Sequence, residues 1–234
     1  MTTNHPFQIP LSVGLHDDAR FENFYSQGNE LICASLKAAA HAEGEQFIYI
    51  WGGEGVGCTH LLQAVCHEAD PAGTTAAYLP LDELKHMGGG ILDGMEYLDL
   101  VCLDSIDVVV GDKQWEEALF HFFNRIREQG NILIIAASSA PRYLGINLPD
   151  LASRLSWGVV FQVQALDDAT KLKAIQMRAT ARGLEFSEDV ARYLLHRASR
   201  NMNDLTSLLD TLDQASLSAK RKVTIPFIKE VTGL

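Results

Sequence analysis

Few features take this chain of 234 residues out of the ordinary globular class. It has only four cysteines, Cys33, Cys58, Cys66 and Cys102, with no CxxC pair among them. A chain this long needs no disulfide staples, so they read as free thiols in a reducing compartment. No apolar run reaches the length of a membrane span, and the N-terminus MTTNHPFQIP has neither the basic nor the apolar region of a secretory signal. The expectation is a cytoplasmic protein with no membrane partner. Internal repeats and low-complexity segments are missing too. Basic charge is short: the net charge is −11, and residues 165–234 hold 11 Lys/Arg against 9 Asp/Glu, leaving 8 against 21, a balance of −13, in the first 164. That excess of acid argues against a groove that grips nucleic acid through its phosphates. A protein that acts at DNA without gripping it usually does so through a protein partner.

The patterning has three parts. Residues 1–20 read as an extended tail broken by Pro6, Pro10 and Gly14. From Phe21 to about residue 164, strands and helices alternate: Phe47 to Trp51, a helix after it, Ala76 to Leu79, Leu98 to Leu103, a long helix near Gln114 to Glu128, and Ile132 to Ala136. Such alternation predicts a parallel sheet with helices on both faces. In the long helix Trp115, Ala118, Leu119, Phe122, Phe123 and Ile126 fall on one apolar stripe. After Val159 to Val163 only helices follow, with Asp167 and Ser187 as N-caps, so residues 165–234 form a small all-helical unit.

The segment Gly52 to Thr59 reads GGEGVGCT, between a buried-strand pattern and a helix pattern. It is a phosphate-binding P-loop, GxxxxGK[ST], with Cys58 in place of lysine. Backbone N–H groups and the hydroxyl of Thr59 survive, and the cation is lost. Losing a charge-assisted contact worth roughly 1.5–3 kcal/mol weakens a triphosphate site more than a diphosphate site on the helix N-terminus. A thiol at a helix N-terminus tends toward a lowered pKa, which makes a redox-sensitive loop conceivable, whereas bound phosphate favours a neutral thiol. Downstream, Leu98 to Asp104 is an apolar strand ending in acid, a Walker B shape in which Asp104, with Thr59, holds Mg²⁺ only when nucleotide is present. Ser105 stands where a second acid is usual, and Ser138 ends the next strand.

These residues resemble the DnaA-like AAA+ family, and within it the DnaA-related regulators of replication initiation. Phe21 to Asn29, with Phe24 and Asn29, looks like the family's box beside the adenine. WGGEGVGCTHLLQA resembles its P-loop, and LPDLASRLSWG resembles the segment carrying its arginine finger. The likeness covers nearly the whole chain. It implies an AAA+ P-loop NTPase-like fold, a parallel five-stranded sheet sandwiched by helices and followed by a helical lid. It further implies a nucleotide, ADP, held by Phe24, Asn29, Gly52, Gly53, Glu54, Gly55, Val56, Gly57, Cys58, Thr59, His60, Asp104, Ser138 and Asn203. Arg154 becomes the residue that acts in trans on ATP bound to DnaA. Gln8, Ile9, Pro10, Leu11, Ser12 and Val13 resemble a peptide that docks on the DNA polymerase III sliding clamp, the beta subunit. Asn203 stands where such lids place a sensor arginine, so Cys58, Ser105 and Asn203 all weaken hydrolysis in cis. DnaA continues beyond the lid into a DNA-binding domain, whereas this sequence stops at Leu234, in keeping with no sequence-specific DNA contact. The expected role is a negative regulator that is not itself an effective enzyme. The alternatives are an active ATPase of the DnaA or helicase-loader type, or a nucleotide-free scaffold; homo-oligomerisation stays open.

Overall fold

The computed structural model describes residues 14–198 and 201–234. The chain folds as α1 (Glu30–Ala40), β1 (Phe47–Trp51), α2 (Cys58–Ala72), β2 (Ala76–Pro80), α3 (Leu81–Leu84), β3 (Leu100–Asp104), α4 (Lys113–Gln129), β4 (Ile132–Ala137), α5 (Pro149–Leu155) and β5 (Val159–Gln162), with short 3₁₀ turns between them. Four helices complete it: α6 (Asp168–Ala181), α7 (Glu188–Arg197), α8 (Met202–Ala219) and α9 (Ile225–Thr232).

The five strands form one parallel sheet in the order β2-β3-β4-β1-β5. The three middle strands are apolar along nearly their whole length because helices cover both faces. On one face α1 and α2 pack Leu36, Leu61, Leu62 and Val65 against Ile48, Ile50 and Ile134. On the other, the α4 stripe of Trp115, Leu119, Phe122, Phe123 and Ile126 meets Tyr49, Leu103 and Leu133. The helical unit has its own core, built on Ile175, Leu194, Leu209 and Phe227. Among the described residues no helix is long and apolar enough to cross a membrane.

Two boundaries differ from the sequence expectation by more than one residue. The third strand begins at Leu100 rather than Leu98, because the Asp99 carboxylate accepts bonds from the Thr75 N–H and hydroxyl and so belongs to the turn. Residues 14–20, read as tail, are packed on the body: Ala19 is buried, the His16 N–H donates to Gln63 Oε1 at 2.9 Å, and Asp18 pairs with Arg182. Their polar letters hid contacts made with distant parts of the chain.

Candidate functional site

The strand β1 ends at the loop, and its glycines are there for geometric reasons. Gly55 and Gly57 take φ of +76° and +102°, in the region where other residues are strained. A Cβ on Gly57 would sit 2.8 Å from the Phe24 ring, and one on Gly55 would sit 2.3 Å from Asn201 Oδ1. No side chain caps the N-terminus of α2. Its first N–H groups therefore point into the loop, the arrangement that binds anions.

Two adjoining cavities share the loop residues Glu54 to Gly57, Thr59 and His60. The first, about 250 Å³, is bounded by Cys58, Asp104, Ser105, Asp107 and Ser138 as well. The second, about 360 Å³, lies between the sheet domain and the helical unit, lined by Phe24, Tyr25, Leu166, Arg178, Met202 and Asp210 among others. A polar cradle opening into a half-apolar slot suits a nucleoside polyphosphate, phosphates in one and base in the other. The residues present fit that group, except that among the described residues no lysine or arginine lines the cradle.

Burial, followed by the nearby Asp104, pushes the Cys58 thiol up to about 12. Of the two readings the sequence left open, redox-sensitive thiolate or neutral thiol, this environment favours the second, because desolvation outweighs the helix N-terminus. Asp104 is 4% exposed. Burial raises its pKa, against the hydroxyls of Thr59 and Tyr78 and the Ser105 N–H, which favour the carboxylate. Tyr78 donates to its Oδ2 at 2.8 Å. Ser105 is left-handed, at φ of 57°, and Asp107 accepts the Ser138 N–H at 2.9 Å. Asp107 thus fixes the end of β4 beside the loop, a role its sequence position gave no sign of.

His60 follows in the first turn of α2. Its Nε2–H donates to the Arg20 carbonyl at 2.8 Å, while Nδ1 accepts from Arg178 Nη2 at 3.1 Å. Burial first, and the Arg178 charge second, lower its pKa to about 4. From α6, Arg178 also donates to the Asn23 carbonyl and to Thr206 Oγ1, and Arg182 joins Asp18 to Asp210. Asn201 donates to Glu54 Oε1 at 3.0 Å. Together these contacts close the helical unit onto the loop.

The family models decide what this arrangement belongs to. The Hda lid-domain model matches residues 168–232, and the bacterial DnaA ATPase-domain model matches residues 91–162. The chain is an Hda-like, DnaA-related AAA+ protein. Solved structures agree on the fold. Domain III of the Thermotoga maritima initiator DnaA superposes with a TM-score of 0.78 at 21% identity, over 93% of this chain and 97% of that one. AMPPCP-bound DnaA from Aquifex aeolicus gives 0.71 at 26%, over 88% and 68%. RuvB from Thermotoga maritima gives 0.67 at 16%, over 94% and 72%.

In this AAA+ frame the residues named from sequence divide. Phe24, the loop from Glu54 to Gly57, Thr59 and His60 line the slot between sheet and lid, and Gly52, Gly53, Cys58, Asp104 and Ser138 line the phosphate end. Asn29 lines neither: it is 1% exposed, and its amide bonds both the N–H and the carbonyl of Gln164. It holds the start of the linker to the lid, so its part in a nucleotide site is positional. Asn203 lies in the first turn of α8, and its side chain and the peptide Gln8 to Val13 are outside the described residues. Tyr25, Arg178 and Met202 line the slot without having been named from sequence, since helix and loop patterns give no hint of which neighbour they meet.

Arg154 lines neither cavity and lies in the last turn of α5. Its guanidinium lies 5.1 Å from the centre of the Trp157 ring. Among the described residues no carboxylate pairs with it.

Proposed function

We propose that this DnaA-related replication regulator promotes hydrolysis of ATP bound to DnaA, with Arg154 reaching the partner's nucleotide in trans. The carrying observation is Arg154 itself: a cation with no carboxylate partner among the described residues, lining neither of the chain's own cavities, on a body with net acidic charge. A guanidinium offered to a neighbour's γ-phosphate stabilises charge that develops in phosphoryl transfer, worth on the order of 10³–10⁵ in rate. The chain's own cradle suits a diphosphate nucleotide, ADP, because a neutral thiol at Cys58 and a serine at Ser105 replace the groups that drive turnover. Bound there, the nucleotide supplies no chemistry beyond filling the seam between body and lid; the α2 N–H groups hold its phosphates, and Thr59 and Asp104 hold Mg²⁺ only with them. Gln8 to Val13 dock on the sliding clamp, which ties inactivation to clamp loaded on DNA.

The test measures ATP hydrolysis by DnaA with and without DNA-loaded clamp. The chain is expected to stimulate it only with clamp, and Arg154→Ala to abolish stimulation at unchanged melting temperature. Removing residues 1–13 should abolish clamp dependence. Ordinary ATP turnover by the purified chain alone, or full stimulation by Arg154→Ala, overturns the proposal.

A further inference from the structure

Trp157 is a half-exposed aromatic residue stacked on the edge of the sheet-domain core. Its N–H donates to the Arg154 carbonyl at 2.9 Å, so the chain turns back on the end of α5. Gly158 then takes φ of +85°, where a Cβ would lie 2.3 Å from the Phe47 carbonyl oxygen. That close approach fixes the backbone on which the indole stands. The ring lies nearly parallel to Phe47, at 6.2 Å, and 6.3 Å from Phe123, outside the Phe47–Phe123 pair whose centres are 4.1 Å apart. It nonetheless remains 49% exposed. Two cations use it: Arg154 at 5.1 Å and Arg127, from the last turn of α4, at 5.4 Å. Neither has a carboxylate partner among the described residues.

An arginine can be held in place in two ways. A carboxylate fixes it and cancels its charge; an aromatic face fixes it and leaves its charge and its N–H donors available. We propose that Trp157 is the positioning residue for Arg154: its ring face orients the guanidinium, uncompensated, toward an anionic group on a partner, with Arg127 as a second cation on the same plate. The stacking on Phe47 and Phe123 makes the plate rigid. The anion is a phosphate of the partner's nucleotide, which rests on the trans role proposed for Arg154.

The experiment compares Trp157→Leu, which keeps apolar cover over Phe47 and Phe123 but removes the ring, with Trp157→Phe, which keeps a ring face. Both are measured beside Arg154→Ala in clamp-dependent stimulation of DnaA, with melting temperature as the folding control. Trp157→Leu should lower the plateau rate roughly 10–100-fold, as misplacement of a reacting group does. Its half-saturating concentration should stay within about twofold, and Trp157→Phe should recover the rate to within about fivefold of the native plateau, as loss of part of a surface cation–π contact allows. A second readout needs no partner: in arginine-¹⁵N-labelled protein the Arg154 Nε–H resonance should lose its ring-current shift in Trp157→Leu and keep it in Trp157→Phe. A native plateau in Trp157→Leu while Arg154→Ala is inactive overturns this inference and leaves the proposed function standing. Equal loss in both Trp157 variants overturns the role of the ring face. Full activity of Arg154→Ala overturns the proposed function, and an unchanged Arg154 resonance in Trp157→Leu then overturns the positioning independently.

Discussion

Cys58 shows how one position can be readable in kind and left open in state. The glycine spacing, the missing lysine and the acid at Asp104 are visible in sequence because each belongs to a local motif. The protonation of the thiol is not, because it depends on burial under the helix and on a carboxylate from another strand. With the thiol held up at about 12, folded protein at pH 8 should resist a small thiol reagent at Cys58, and should react there once unfolded in urea. Peptide mapping after timed labelling checks this; rapid labelling of native Cys58 would contradict the assignment. Arg178 was illegible for the same physical reason, since one of its partners, Asn23, lies 155 positions earlier in the chain.

At the scale of elements, periodicity made the sheet, α4 and the lid helices legible, and left out the irregular joints that aim the site. The joint before α5 depends on Glu116. This carboxylate, 1% exposed in the first turn of α4, accepts the N–H groups of Gly111, Asn147 and Leu148 at 2.8 to 3.1 Å. Asn147 and Leu148 lead directly into α5, so Glu116 sets the helix that carries Arg154. In sequence it is one more acid on an amphipathic helix. Glu116→Ala leaves three part-buried donors without their acceptor, and water can reach some of them, so the loss is below the about 1–3 kcal/mol that each fully buried donor would cost. The urea midpoint should fall by the equivalent of about 1–3 kcal/mol, and stimulation of DnaA should fall more than melting alone explains. A variant that melts like the native chain would show that water replaces the carboxylate.

Over the whole molecule, the lid is fastened to the body through a small set of polar contacts whose centre is His60. Its folded pKa of about 4 lies below the unfolded value of about 6.5. Between those values the unfolded chain takes up a proton that the folded chain refuses. Stability from this residue is therefore complete above about pH 6.5, is lost as pH falls toward about 4, and then levels off, with a total of ~3 kcal/mol. Chemical denaturation across that window should show the decline in the native chain, and a flatter profile in His60→Gln. Equal slopes in the two would place the titration elsewhere. The neighbouring Arg178 and His67 charges disfavour the imidazolium and Asp18 favours it, and burial outweighs all three.

The fastening has a further consequence. Residues 16–23 tie the two parts together: His16 bonds Gln63 and His67 on the body, and Arg20 bonds His60, while Asp18 reaches Arg182 and Asn23 reaches Arg178 on the lid. None of these residues is stitched into the sheet. Whatever displaces this strip therefore loosens the lid as well, so one short stretch of chain serves as the latch of the hinge.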